Sequence, residues 1–334
     1  LRYPISVNEQ AEVDALVIFD RYIFVLEGKG GSRNRTYNET GTKARLDELV
    51  GEPTKQALRA QAYLRANPTA VLTRADGSTL EVTDTSTSEI VPISISLDSL
   101  DVYTSELKEL QNILALTELA WAVCLTDLRV ISEIVSRPSE FTHYLRWRMS
   151  VGQRTDVLGD RDEINWLAVY LRDGPMIPQA AEGDDFLILN SYTDAFDAYF
   201  LHMQGNRTRA EKRPRQEIPD GVGQLLDALE ASRLKGFTQA AEFILDFQFE
   251  QRRELDNTLR RHGAAAADHP EPVVTLFEYG NKGIVFRSNP KGQQLAAPDL
   301  TARSCSRRTL VLTVSQGPTW NVIDWEITSP THQD

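Results

Sequence analysis

Two short, mainly apolar runs, Val13–Phe19 and Tyr22–Leu26, separated only by Asp20 and Arg21, constrain this chain more than any other feature. Their length and β-branched content read as strands, and so short a connection makes them neighbours in an antiparallel hairpin. Counting outward from a Phe19–Tyr22 pair brings Asp14 opposite Glu27. Facing residues share one face of a sheet with Cβ atoms roughly 5 Å apart, close enough for two carboxylates to hold one divalent cation. Lys29 projects from that face about 6–7 Å further along the strand. The same counting places Glu12 opposite Lys29, so an ordinary cross-strand ion pair, worth about 0.2–1 kcal/mol, is the alternative use of these charges. Asp-Arg is not a favoured two-residue turn, and a three-residue loop would put Asp14 and Glu27 on opposite faces.

Two carboxylates facing each other inside apolar strands repel and are costly to desolvate, so a cation should compensate them. A hard ion such as Mg²⁺, with Mn²⁺ as the alternative, takes oxygen ligands and keeps several waters, which suits activation of water against a phosphodiester. An ammonium beside that water could orient it or stabilise charge developing on the phosphate.

Asp14, twelve intervening residues and then Glu27-Gly28-Lys29 resemble the core motif of the PD-(D/E)XK nuclease superfamily, in the variety related to bacterial nuclease-related domains. The order of elements is similar to that family's core: an extended segment (Leu1 to Val7), the hairpin, a helix (Thr42 to Asn67) and a further strand (Ile90 to Ser96). The resemblance covers residues 1–98 and implies a restriction-endonuclease-like mixed α/β sheet. It implies that Asp14 and Glu27 ligate Mg²⁺, that the Gly28 carbonyl completes the protein ligands, and that Lys29 assists the water or the transition state. Gln56, Arg59 and Tyr63 share one face of the helix, spaced i, i+3 and i+7. The resemblance gives Gln56 and Tyr63 a role in positioning the substrate backbone, although the family's glutamine and tyrosine stand closer together. Family members usually carry a further helix with an acidic residue before the first strand. The chain begins at Leu1 without it, which marks the sequence as a fragment or processed product.

Charge sets the strongest opposing argument. The 334 residues hold 36 basic and 48 acidic side chains, a net charge of −12, whereas phosphate backbones are bound largely by cations. Between Lys29 and Ala66, however, eight basic residues stand against four acidic ones, a locally positive stretch beside the expected site. Gly30-Gly31-Ser32-Arg33-Asn34-Arg35 reads as a flexible loop whose Arg33 and Arg35 could contact a phosphate backbone or simply be solvated. It is not a nucleotide-cradling loop, because the lysine precedes the glycines.

Beyond residue 98 the pattern divides into a helix-rich extension (99–175), a mostly helical region (176–270) and a small antiparallel β region (271–334). Within these, helices are expected over Ser99–Ala115, Leu128–Val135, Ser139–Val151, Arg161–Arg172 capped by Asp160, Gly221–Ala231 and Gly236–His262. A short strand is expected at Ala120–Cys124, Trp121 and Trp147 are expected in a core, and Ala264–Ala267 with the following prolines reads as a linker. Strands are expected over Val273–Tyr279, Gly283–Arg287, Leu310–Ser315 and Asn321–Ile327. Arg207–Arg215 reads as a basic surface loop, with a phosphate contact as the alternative use of its charges. The five histidines lack metal-ligand spacing, and two distant cysteines suggest neither a disulfide framework nor a zinc site. No apolar run spans a bilayer, so the expected setting is cytoplasmic, with no membrane partner.

The expected function is Mg²⁺-dependent hydrolysis of DNA phosphodiesters, with RNA left open as a substrate. The alternative is a catalytically silent nuclease-like module that binds DNA or assembles with protein through the helical or C-terminal β region.

Overall fold

The computed structural model describes residues 1–6, 9–30, 39–99, 106–158, 162–175, 177, 187–188, 193–205, 212–269, 271–289, 308–315 and 321–328. The chain divides into two compact units, the first comprising Leu1–Ser136, Tyr144–Leu171 and Pro178–Arg215, the second Arg137–His143, Arg172–Ile177 and Gln216–Asp334.

The first unit is mixed α/β. Strands β1 (Arg2–Ser6) and β2 (Glu9–Glu12) form an antiparallel pair that joins the hairpin β5 (Ala70–Thr73) and β6 (Thr79–Val82) in one four-stranded sheet, order β2-β1-β5-β6. A second sheet contains β3 (Ala15–Phe19), β4 (Tyr22–Lys29), β7 (Glu89–Ser96) and β8 (Trp121–Cys124), in that order. Its first pair is the expected hairpin, in the expected register: Phe19 faces Tyr22 and Ala15 faces Leu26. Asp20 makes the two-residue turn possible by adopting a left-handed φ of 51°, which such turns require at their first central position. The sheet does not close at residue 98: β8 pairs with β7 in parallel and supplies the fourth strand. Pro92 is tolerated within β7 because β8 pairs only from Ile93 onward, so the strand edge at Pro92 is not needed for a ladder bond on that side.

Helix α1 (Glu39–Leu46), a π-helical segment (Asp47–Gly51) and α2 (Glu52–Ala66) run continuously between β4 and the second hairpin. Ala57, Ala60 and Leu64 of α2 pack on Tyr3, Val13, Ile23, Val25 and Ile90, forming the core between helix and sheets. Gln61 is buried there, and its amide donates to the Ile90 carbonyl at 2.7 Å. After β7 come α3 (Leu107–Ile113), α4 (Leu125–Ile134), α5 (Pro138–Val151), the short strand β9 (Val157–Leu158) and α6 (Glu163–Asp173). Residues 100–105 of the helix expected over Ser99–Ala115 lie outside the described residues. The cap of α6 is Asp162, whose Oδ1 accepts from the Asn165 amide at 2.9 Å; Asp160 lies outside the described residues. Strand β10 (Leu187–Ile188), parallel to β9, and α7 (Asp194–Met203) follow. Trp121 and Trp147 are buried as expected. Cys124 caps α4 through its sulfur, and burial pushes its thiol up to about 11, so it is an inert structural group.

The second unit packs α8 (Asp220–Ser232), α9 (Phe237–Leu245) and α10 (Phe249–Asp268) with a sheet of β11 (Val273–Tyr279), β12 (Lys282–Asn289), β13 (Arg308–Ser315) and β14 (Val322–Thr328). Leu225, Leu229, Phe243, Phe247, Phe277, Phe286 and Leu312 lie in its core. Two expectations are corrected here. The helix expected over Gly236–His262 is two helices, broken at Asp246–Gln248, because Gln248 and Gln251 form a capping box that starts a new helix. That helix continues to Asp268, so Ala264–Ala267 is helical rather than a linker. The C-terminal sheet is not wholly antiparallel either: β12 and β13 run parallel, which residues 290–307 are long enough to connect.

No helix among the described residues is long and apolar enough to cross a membrane.

Candidate active site

The hairpin register places the acidic residues. Asp14 sits where the chain leaves the first sheet and enters the second, between β2 and β3. The residue before it is fixed by a bond from the Val13 amide to the Leu1 carbonyl, 2.7 Å. Asp14 Oδ2 then accepts from the Gly28 amide at 2.8 Å, so the loop carboxylate is tied to the strand carrying Glu27 and Lys29. In return the Asp14 backbone amide interacts favourably with the Glu27 carboxylate. Asp14 is therefore tied to the strand of Glu27 one step beyond the Ala15–Leu26 pair, where continuing the register sets the two acids opposite each other.

The alternative pairing of Glu12 with Lys29 does not occur. Glu12 belongs to β2, faces Arg2 and forms an exposed ion pair with it at 2.6 Å. The physical reason is the bend at Asp14, which ends the β3 ladder and turns the preceding strand into another sheet.

Alternation along β4 puts Ile23, Val25, Glu27 and Lys29 on one face, with Ile90, Pro92, Ser94 and Ser96 beside them on β7. That face starts apolar under α2 and becomes polar toward the C-terminal ends of two parallel strands, where open α/β sheets place ligands. Glu27 is 3 % exposed, whereas Asp14 and Gly28 are open to solvent and Lys29 is half-buried. The Gly28 carbonyl shares a strand edge with its own amide and so faces the Asp14 side, while the Lys29 carbonyl points to β7 and accepts from Leu97 at 2.9 Å. Asp98, just beyond β7, is bound to Arg45 at 2.7 Å.

Of the residues expected to contact substrate, Arg59 is brought to the acidic pair: its charge acts on both Glu27 and the Tyr3 hydroxyl. Tyr63 is directed elsewhere. Its hydroxyl donates to the Val71 carbonyl at 2.9 Å and its ring stacks on Tyr3, with centroids 4.9 Å apart. Gln56 is half-buried on α2. Arg33 and Arg35 lie outside the described residues. Sequence reasoning missed Tyr3, on which Glu27 and Arg59 both act, and Ser94, the buried register partner of Glu27. A serine at the apolar-strand position opposite Glu27 was the available signal for Ser94.

Burial first, then the facing Asp14 carboxylate, pushes the Glu27 carboxyl up to about 7; the Asp14 amide, Lys29 and Arg59 pull the other way. Glu27 Oε1 is buried with no hydrogen-bond partner among the described residues. A buried carboxylate facing a second carboxylate, beside a strand-edge carbonyl, is a set of hard oxygen donors of the kind a divalent cation takes. Among the described residues no group of three or more His, Cys, Asp or Glu side chains could hold a metal ion.

The raised Glu27 carboxyl has a consequence for stability. A folded-state value above that of the unfolded chain means that the folded protein keeps a proton the unfolded chain has lost. Stability therefore falls as pH rises from about 4.5 to about 7, by about 3 kcal/mol if the whole shift is expressed. Without divalent ions at pH 8, Glu27→Gln should be more stable than wild type by up to that amount in urea unfolding, and the two should converge near pH 4.5. Equal stability at pH 8 would show that Glu27 is not strained by ionisation.

Comparison with protein-family models, curated proteins and solved structures finds no match for this chain.

Proposed function

We propose that the first unit is a metal-dependent nuclease that hydrolyses DNA phosphodiester bonds at Asp14, Glu27 and Lys29. The observation that carries this reading is the clasp itself: Asp14 bound to the Gly28 amide beside a buried, donor-poor Glu27, with Lys29 following on the same face. Asp14, Glu27 and the Gly28 carbonyl would hold Mg²⁺ or Mn²⁺. When bound, the ion supplies charge neutralisation at the phosphate and an acidified water.

The chain's own groups do the rest. The Gly28 amide fixes the Asp14 carboxylate, removing its freedom to rotate away. Lys29, a compact ammonium, hydrogen-bonds the attacking water or a non-bridging phosphate oxygen and favours the extra negative charge of the transition state. Arg59 offers a planar guanidinium matched to a phosphate, which holds the backbone over the acidic pair. Asp14 and Glu27 repel an unescorted phosphate, so binding is productive when a cation is shared between protein and substrate. The same requirement accommodates an overall charge of −12.

The test is nicking of supercoiled plasmid by the full chain. Cleavage should require Mg²⁺ or Mn²⁺, stop in EDTA, and fall by at least about 100-fold in Lys29→Ala with an unchanged unfolding midpoint. Cleavage indifferent to EDTA or to Lys29→Ala contradicts the proposal. Tight DNA binding without cleavage would instead identify a silent binding module.

A further inference from the structure

Glu27 Oε1, Thr54 Oγ1 and Ser94 Oγ are buried polar atoms of the first unit without a hydrogen-bond partner among the described residues. Native interiors leave few such atoms, and several close together indicate a shared purpose. Glu27 and Ser94 are register partners across β4 and β7, hence side by side on the face beneath α2. Thr54 reaches the same level by helix geometry. Gln61 is fixed at Ile90, and the π-helical segment preceding α2 also packs on β7, so the helix runs back along that strand. Thr54 lies two turns before Gln61, about 10.5 Å along the axis, and Ser94 lies four residues past Ile90, about 13 Å along the strand.

We propose that Ser94 and Thr54 are positioning residues for Glu27. Their hydroxyls donate to the Glu27 carboxylate, directly or through one water, when it is ionised and facing a cation. The inference rests on the reading of Asp14 and Glu27 as a cation site. Its chemistry follows from the surroundings: an ionised carboxylate in an apolar face needs donors on the oxygen that does not meet the cation. Charge-assisted bonds from hydroxyls favour the ionised form and fix which oxygen turns toward Asp14. Tyr3 lies next to Arg59 and takes no part in the proposed pair.

The experiment titrates the full chain with Mn²⁺, followed by the spin-resonance signal of the free ion, and records unfolding midpoints in EDTA. The variants are Glu27→Ala, Ser94→Ala, Thr54→Val and Thr54→Ser. Ser94→Ala and Thr54→Val should each weaken Mn²⁺ binding roughly 10-fold, while Thr54→Ser, which keeps the hydroxyl, stays within about twofold of wild type. If Thr54→Val raises the midpoint and leaves Mn²⁺ affinity unchanged, the hydroxyl is an isolated buried group and the inference is overturned. If Glu27→Ala abolishes binding but Ser94→Ala and Thr54→Val bind as wild type, the cation site stands and the positioning role alone fails. Wild-type protein that binds no Mn²⁺, or Glu27→Ala that binds it normally, removes the cation site and the inference with it.

Discussion

Glu27→Ala should lower the rate of Mg²⁺-dependent DNA cleavage by at least about 10³-fold, roughly 4 kcal/mol of transition-state stabilisation, while the protein remains folded. The two halves of that expectation have one cause. Glu27 lies in the apolar face formed by Ile23, Val25 and Ile90 with α2, and burial and Asp14 both oppose its ionisation. A carboxylate so placed weakens the fold at neutral pH, and removing it should leave the cation-free protein at least as stable above pH 7. Loss of activity with retained or increased stability is the signature of a functional group held against the preference of its surroundings. Asp14→Ala should behave differently: its removal relieves the repulsion on Glu27 but deprives the Gly28 amide of its acceptor, so activity falls with a smaller gain in stability than in Glu27→Ala. Rate measurements on the two variants, with urea unfolding at pH 8, check both. Substantial cleavage by Glu27→Ala would remove the carboxylate from the mechanism.

Arg148→Met should destabilise the first unit by about 3–5 kcal/mol, the typical consequence of stranding one member of a buried ion pair. Arg148 and Glu163 are both 0 % exposed and meet through the guanidinium Nε at 2.9 Å. Glu163 also accepts from Tyr144 at 2.6 Å and from Trp121 at 3.1 Å, and the guanidinium stacks over Trp166 at 4.7 Å. Burial raises the Glu163 carboxyl, and Arg148 is the largest influence opposing that shift. Methionine keeps much of the arginine stem's volume, so the loss reports the uncompensated carboxylate rather than a cavity. Trp121 and Trp166 belong to this cluster, so tryptophan fluorescence during urea unfolding reads it directly. A loss below about 1 kcal/mol would mean that the pair contributes little beyond the packing of its apolar stems.

The Asp14–Glu27 pairing was legible in the sequence on the premise of a two-residue turn, which Asp-Arg does not announce and the left-handed Asp20 supplies. Once Phe19 faces Tyr22, Asp14 and Glu27 follow. The Glu12–Lys29 alternative used the same count and could not be rejected, because nothing in the residues announces that the strand bends at Asp14 into a second sheet. The role of β8 was illegible for a related reason: Trp121–Cys124 reads as a strand, but its partner is a matter of tertiary contact, and a parallel neighbour can lie far away in sequence. The break at Asp246–Gln248 was hidden because apolar periodicity continues through it, and glutamine is a weak capping signal compared with serine or aspartate. Tyr63 matched the helical face of Arg59, yet its hydroxyl is drawn to the Val71 carbonyl, a bond that spacing alone does not reveal. Ser94 stood in an apolar strand pattern, and only the register of β4 on β7 sets it beside Glu27.

The most direct measurement of the central claim is anomalous diffraction from a crystal of the full chain soaked in Mn²⁺. The account predicts one peak bounded by the Asp14 carboxylate, the Glu27 carboxylate and the Gly28 carbonyl, with oxygen–ion distances of about 2.0–2.6 Å. A well-ordered site with Asp14 still bound to the Gly28 amide and no peak beside it, at Mn²⁺ concentrations that support cleavage, would contradict it.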